Sequence, residues 1–548
     1  MKKLLIILFA FLLFPGFSLF AAPFDMILVG DPVLEDMRFL SLESGRAILS
    51  FTPPLAPAEV RQFLDSINDS DLSSPGREAY YRILKRLSPE AKLNLTSDNF
   101  AVFMNINSTF EARTRFNADI DWYPLYPEIA PVLAVPIRFF FFNTLQLYIE
   151  PSVHATPEHY DRKHFGLNVP YGQQYFDITQ PLRAFIAAGG SWWNFQLGRD
   201  KIFFGTGNTG SLSIADNSAY YEYIRFSLFS RFFKYSLLVS QMPLRVTDNF
   251  YTGVLDPEDL VNTTQRNFYL HRLDFKFWNV LSIGVMEGLM VGNSPLEIRY
   301  LNPLMIFHSF YSSSDYEMGW GADPGNNNPM GHMNGSFFSV EINWHIIKSL
   351  SVYGQFVMNE LALGSEKGDT AEPPNGVGFM AGINYSHSFD SWGARFFLEF
   401  IYTYPYLYLN SSPFASFIKM RRVETSKQKY LYYYMGYPRD TMALSLGTRF
   451  FRNDELNIGG RFSWICSGEH NRDGLVYDFE VSNKAFDKRT PSGTAEHKFI
   501  ASVSARWKPL TYMSFNGSLT GIISHNNNHV SGSNAFGGQA EFSVSFFY

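Results

Sequence analysis

The stretch Phe338-Ser339-Val340-Glu341-Ile342-Asn343-Trp344-His345 carries an apolar residue at every even position and a polar or charged one at every odd position. Side chains of an extended strand point to opposite faces in turn. One face of this run is therefore all hydrocarbon and ring, the other all polar. The same period of two recurs along the chain. Phe499, Ala501, Val503, Ala505 and Trp507 alternate with Lys498, Ser502, Ser504 and Arg506. Leu273, Phe275 and Phe277 alternate with Arg272, Asp274 and Lys276. Leu456, Ile458, Phe462 and Trp464 alternate with Asn457, Arg461 and Ser463. A soluble sandwich alternates too, with its rings inward and its charges in water. The joints between strands separate the two cases.

Some joints are tiny: Asn143-Thr144, Gly189-Gly190, Trp278-Asn279, Asp390-Ser391, Asn453-Asp454 and Lys508-Pro509-Leu510. Between them lie long polar connections, near 157–174, 200–218, 244–266, 293–333, 363–375, 405–438 and 467–494. Short periplasmic turns alternating with long outer loops are the layout of outer-membrane barrels, whose strands are apolar toward lipid and polar toward the lumen. The expected fold is all-β: a transmembrane antiparallel outer-membrane β-barrel of about 18 strands over residues 93–548, an even count that returns both ends to the periplasm. The chain finishes on Phe542-Ser543-Val544-Ser545-Phe546-Phe547-Tyr548, which resembles the signal handed to the barrel insertion machinery. That machinery and outer-membrane lipid are thus expected partners.

Composition agrees. Aromatics are 17% of residues, with Phe 54 and Tyr 31, a ring content suited to a lipid face and interfacial girdles. The 45 basic and 51 acidic residues are dispersed, so no basic block collects phosphates and nucleic acid is not an expected partner. The single Cys466 excludes an intrachain disulfide and a multi-cysteine metal site, and reads as an inert buried thiol in a strand.

Lys2-Lys3, the apolar run Leu4–Phe14 and the small residues Ala21-Ala22 form the tripartite layout of a secretory signal peptide over residues 1–22. The apolar run is shorter than the roughly 20 residues a membrane helix needs. Residues 23–92 change period to 3.6 and predict a small periplasmic helical region. Asp31-Pro32 opens one helix with Val33, Met37 and Leu40 on a face. Pro57-Ala58-Glu59 opens a second with Val60, Phe63, Leu64 and Ile67. Ser74-Pro75 opens a third with Tyr80, Ile83, Leu84 and Leu87. Three such stripes can bury against one another or against the barrel.

The densest motif is Gly198-Arg199-Asp200-Lys201-Ile202-Phe203-Phe204-Gly205-Thr206-Gly207-Asn208-Thr209-Gly210-Ser211-Leu212. Its GxGxxG lacks the following helix a dinucleotide requires. The glycines instead let a loop turn sharply, and by parity that loop leaves the outer end of about the fifth strand, from which it could enter the lumen. Tyr402, Tyr404, Tyr406 and Tyr408, with Tyr430, Tyr432, Tyr433 and Tyr434, flank one long connection, either as interfacial anchors or as stacking faces for sugar rings. Asn326-Asn327-Asn328, His332 and Asn334 read as a solvated loop tip, and His154, Glu158 and His159 as surface decoration. Glu111, Arg113, Arg115 and Glu341 read as charges of a water-facing lumen. No GxSxG and no paired-carboxylate arrangement stands out, so no catalytic residue, metal or cofactor is assigned.

The run GRDKIFFGTGNTGSLSIADNS resembles the signature segment of the capsule-assembly Wzi family of outer-membrane proteins. Leu296-Glu297-Ile298-Arg299-Tyr300-Leu301-Asn302-Pro303-Leu304 and Tyr353-Gly354-Gln355-Phe356-Val357-Met358-Asn359-Glu360-Leu361 are similar to further stretches of it, as is the helical preface at Pro57-Ala58-Glu59-Val60. The resemblance implies a monomeric, internally blocked barrel in the cell outer membrane that anchors or assembles surface (capsular) polysaccharide without catalysis. The alternative is a passive porin for small solutes. Candidates for polysaccharide binding or for plugging the lumen are Arg199, Asp200, Lys201, Gly205, Gly207, Asn208, Tyr406, Tyr408 and Glu360.

Overall fold

The computed structural model describes residues 24–88, 93–97, 99–117, 120, 129–156, 164–177, 181–216, 220–247, 260–292, 295–307, 334–360, 374–410, 413–422, 430–471 and 489–548. The expected export signal, the Asn326–His332 loop tip and the pair Glu158 and His159 lie outside them. The alternation is realised as strands with two different faces. In Asn334–Ile347, Ser339, Glu341 and His345 are buried, while Ile342, Trp344 and Ile346 are exposed.

Antiparallel pairing runs from Ala184–Gly189 through Trp193–Asp200, Tyr221–Phe229, Phe233–Gln241, Arg266–Phe277 and Leu281–Gly292. It continues through Asn334–Ile347, Leu350–Glu360, Gly376–Phe389, Trp392–Thr403 and Thr441–Arg452. Leu456–Ser467, Glu496–Leu510, Met513–His525 and Asn534–Phe547 follow. Asn534–Phe547 then pairs with Asn107–Phe116. That strand, extended by Phe100–Met104, pairs with Leu133–Ala134 and Ile137–Phe141, these with Leu145–Ile149 and Ser152–Val153, and Leu145–Ile149 with Ala184–Gly189. Each of the three interrupted runs, 100–116, 133–141 and 145–153, counts as one strand. The ring made by the described residues thus closes at 18 antiparallel strands.

One rim carries the tight turns. Phe142, Asn143, Trp278, Asn279, Ser349, Asp390 and Asn453 adopt the left-handed backbone that a two-residue reversal between twisted strands requires. The joint expected at Lys508-Pro509-Leu510 is displaced. Those residues end a strand whose register slips between Trp507 and Leu510, and the reversal is at Thr511-Tyr512. A proline is tolerated at such an irregularity because no ladder hydrogen bond is asked of it. Turns at Ser230-Arg231-Phe232 and Lys348-Ser349 carry no Gly or Asn signal and escape a sequence reading. The opposite rim carries the long connections. Two of them contain hairpins, Leu244–Thr247 with Leu260–Thr264 and Ile418–Arg422 with Tyr430–Tyr434.

The N-terminal region forms helices α1 (Val33–Ser44), α2 (Pro57–Leu64) and α3 (Ser74–Arg86). The Asp31 carboxylate accepts the Val33 N–H at 3.0 Å at the start of α1, and Gly45 in left-handed conformation closes it. Ser73 Oγ accepts from Gly76 N at 3.2 Å to open α3. Val33, Met37, Leu40, Val60, Phe63, Leu64 and Ile83 bury in one shared core that also takes in Phe203 and Phe451 of the barrel. Arg86 ties the unit together by reaching Asp25 at 2.7 Å and Asp31 at 2.8 Å. The unit docks on the tight-turn rim: Ala47 N donates to Asn279 O, Ser349 N to Leu42 O, and Gln62 Nε2 to Ser191 O.

Candidate functional site

Trp193–Asp200 is a short strand, and the chain leaves its upper end inward rather than toward the long-connection rim. Residues 201–216 then alternate between two cores. Ile202, Phe204, Leu212 and Ile214 bury against the inner wall with Leu238, Met286 and Val357, whereas Phe203 enters the helical core. Phe204 N donates to Ile214 O at 2.9 Å, which folds the segment into a narrow loop. From the tight-turn side, Phe203 N and Gly205 N donate to Pro53 O and Phe51 O. From the long-connection side, Tyr437 N donates to Ser211 O, Ala215 N to Met435 O, and the Tyr408 hydroxyl to Leu212 O at 2.7 Å. Helical preface, infolded loop and a long connection thus meet inside the cylinder.

The loop tip is held by charge. Glu399, buried on the inner wall, accepts from Asn208 N at 2.7 Å, from Thr209 N at 3.0 Å and from the Tyr353 hydroxyl at 2.7 Å. Asn208 Nδ2 also donates to Tyr353 Oη at 2.8 Å and Asn384 Oδ1 at 2.9 Å. On the other side, Arg38 of α1 donates to Thr206 O and Gly207 O at 3.1 and 3.2 Å, its guanidinium lying over the Phe51 ring. Gly205 has φ +153°, and a Cβ on Gly207 would collide with the Gly210 carbonyl and the Met380 sulfur, so both positions need glycine. Gln355 completes the seat, accepting from Leu212 N and donating to Ser213 Oγ.

Helix α1 is fixed to the wall through Glu35, whose carboxylate meets Arg449 Nη1 at 2.7 Å and Arg395 Nη2 at 2.9 Å. Burial pushes its pKa up, but the guanidiniums of Arg395, Arg38 and Arg449 outweigh this and bring it down to about 2. On α2, Glu59 pairs with Lys234 of the inner wall, whose Nζ also donates to Thr52 Oγ1 at 3.1 Å. Arg225 donates to Pro54 O and Thr52 Oγ1.

The residues singled out in the sequence are not all brought together. Asp200 is buried and ion-paired to Arg183 at 2.9 Å. Arg199, one position earlier, has the parity of the exposed Leu197; it pairs with Glu222 and stacks over Tyr220 at 4.3 Å. Lys201 lines a cavity of about 790 Å³ with Asp216, Arg183, Glu150 and His154. Gly205, Gly207 and Asn208 form the clamped tip. Tyr408 is fully buried and Tyr406 nearly so, the latter among Leu244, Leu409, Phe414 and Ile418. Burial leaves neither ring as an interfacial anchor or an open stacking face; both pack an infolded connection. Glu360 stands past a register slip at its strand end, and its buried neighbour Asn359 makes the inward contacts, to Tyr408 N and Leu409 O. Glu341 pairs with Arg272 in the wall, Arg113 and Arg115 are buried, and Cys466 is a buried thiol. Arg38, Lys234 and Glu399 escaped the sequence reading, and Tyr353 entered it only as part of a family-like stretch; for Lys234, Tyr353 and Glu399 inward strand parity is the only signal of this role.

The lumen is not uniformly filled. Thr209 at the loop tip borders a second cavity of about 790 Å³, lined by Arg395, Arg449, Arg461, Arg506, Glu111 and Glu541. The capsule assembly protein Wzi family model matches residues 133–446, more than half of the chain. The chain belongs to that family. The matched span takes in the infolded loop, Glu399 and the Tyr408 connection, while the helical preface and the last strands lie outside it. Among solved structures, Wzi family architecture is met directly. A structure described as Wzi, an outer membrane protein involved in group 1 capsule assembly in Escherichia coli and a carbohydrate-binding beta-barrel, is similar with TM-score 0.55 and 14% identity, over 95% of this chain and 99% of that one. OprD of Pseudomonas aeruginosa aligns with TM-score 0.38 and 9% identity over 82% of this chain and 95% of that one. Comparison with curated protein sequences gives no match.

Proposed function

We propose that this Wzi family barrel resides in the outer membrane and anchors or assembles capsular polysaccharide at the cell surface, without catalysing a reaction. The observation that supports the reading is the meeting of three separate segments inside the cylinder, joined to family membership. A porin needs a continuous water path, whereas here the loop tip is clamped between Arg38 and Glu399. In this reading residues 1–22 are an export signal, and 24–88 plug the periplasmic mouth of a monomeric barrel delivered by the insertion machinery. Asp200, Gly205, Gly207, Asn208, Tyr406 and Tyr408 build the block, and the long connections face the glycan.

The test is retention of purified surface glycan by cells with and without the protein, paired with conductance of the purified barrel in a planar bilayer. Cells lacking it should shed glycan and the barrel should be electrically silent. Undiminished retention would overturn the role, and stable ohmic steps would move the assignment to a passive porin.

A further inference from the structure

The outer wall carries a polar patch where hydrocarbon is expected. In Arg266–Phe277, Arg272 and Asp274 face the lumen, so Tyr269 and His271 share the opposite face with the exposed Leu273 and Phe275. In Leu281–Gly292, Met286 packs in the luminal core, which places Glu287, Leu289 and Val291 on the outer face. The register sets His271 directly opposite Glu287 and Tyr269 opposite Leu289. Two ionisable side chains thus stand side by side on the lipid-facing parity, midway along a 12-residue strand. A charge at the middle of a barrel's lipid face costs about 2–4 kcal/mol, somewhat less for a carboxylate.

Yet Tyr269 and His271 are buried, because residues 295–307 fold back over the outside of the wall. Tyr300 and Phe307 pack on them, ring centroids 4.9 Å from Tyr269 and 4.4 Å from His271 respectively. The strap also meets their polar atoms: His271 Nε2 lies 3.1 Å from Tyr300 O, and Glu297 N donates to the Tyr269 hydroxyl at 2.9 Å. Its other side is mostly aliphatic, with Arg299, paired to Glu297, and Asn302 as the exposed polar exceptions. Leu304 is 89% exposed, Ile298 81%, Ile306 62% and Leu296 49%. A connection bathed in water has no reason to turn its polar backbone to the wall and four aliphatic side chains outward; one bathed in lipid has.

We propose that residues 295–307 form a lipid-facing strap, which covers the His271–Glu287 pair and inserts Leu296, Ile298, Leu304 and Ile306 among the acyl chains of the outer leaflet. The occupant is acyl chain because the strand the strap covers also turns apolar side chains outward, at Leu273 and Phe275. The inference needs the barrel to span a membrane and is independent of what the barrel holds.

The test uses the full chain in lipid bilayers, in a Cys466→Ser background, with a nitroxide at Ile298→Cys, Leu304→Cys or Ile306→Cys. Val503→Cys on the bare wall is the lipid reference and the exposed Ser531→Cys the water reference. Collisions with dissolved oxygen report hydrocarbon, and those with a water-soluble nickel chelate report water. The strap labels should group with the Val503 label. Grouping with the Ser531 label would overturn the proposal, and so would protection from both reagents, the mark of a second protein chain. Three sites keep the test readable if one substitution disturbs folding.

Discussion

The backbone N–H of Asn208 lies 2.7 Å from a carboxylate oxygen of Glu399, although 191 residues separate them. A buried carboxylate that accepts several N–H and O–H groups is a strong and directional anchor, since each bond to a charged acceptor contributes about 1.5–3 kcal/mol. It fixes the loop tip to the wall on the side opposite Arg38.

Glu399→Ala should therefore release the tip while leaving the barrel intact. We expect a loss of about 3 kcal/mol in the closed state of the loop, read as transient current steps in a bilayer that the parent protein lacks. Arg38→Ala should act in the same direction, and an unchanged, silent trace for both variants would sink the clamp.

Lys234 and Glu59 make a different kind of tie. Lys234 is fully buried, so removing its partner strands a charge away from water. Glu59→Gln is expected to lower resistance to thermal unfolding in detergent by about 3–5 kcal/mol, whereas the double variant Glu59→Leu with Lys234→Met should recover most of it. Equal losses in single and double variants would show that packing, not charge, holds α2.

The pH dependence of plug docking follows from Glu35. Its pKa falls from 4.5 to about 2 on docking, so its ion pairs stabilise the docked state fully above about pH 4.5. That contribution declines as pH drops toward about 2, where the carboxylate becomes protonated even in the docked state. Protease access to α1, followed from pH 6 to pH 2, should rise in the parent and rise less in Glu35→Gln, which carries no such titration. Superimposable profiles would exclude Glu35 as the group responsible.

Gly207→Ala should also disrupt the seat, because the added methyl meets the Gly210 carbonyl, a backbone atom that cannot swing aside. Current steps like those of Glu399→Ala are expected. Gly532→Ala, at a surface turn with open space around it, is the control for a backbone effect alone, since its φ is +76°.

The strand faces were legible because lipid outside and water inside impose a strict period of two, as in Phe338–His345. The number of strands followed from the rhythm of joints, even though Lys348-Ser349 gave no turn signal and Pro509 suggested a turn one step early. The infolding of 201–216 was within reach because Gly205 and Gly207 advertise a backbone that must bend and pack closely. What holds it was not, since Arg38, Tyr353 and Glu399 come together only after the ring closes. Tyr406 and Tyr408 look like rim anchors or stacking faces in a linear reading, and the fold shows their connection turning inward. Arg199 and Asp200 illustrate the limit most sharply, because adjacent residues in one motif end on opposite faces of the wall.

The seam between Asn107–Phe116 and Asn534–Phe547 joins segments more than 400 residues apart. Until the final strand has emerged, both flanks of the growing sheet are raw edges with unpaired N–H and C=O groups, in a chain rich in exposed rings. Such a polypeptide cannot safeguard itself by folding piecemeal. Both edges are satisfied only at the end, when Ile106 and Tyr548 exchange hydrogen bonds and the ring closes.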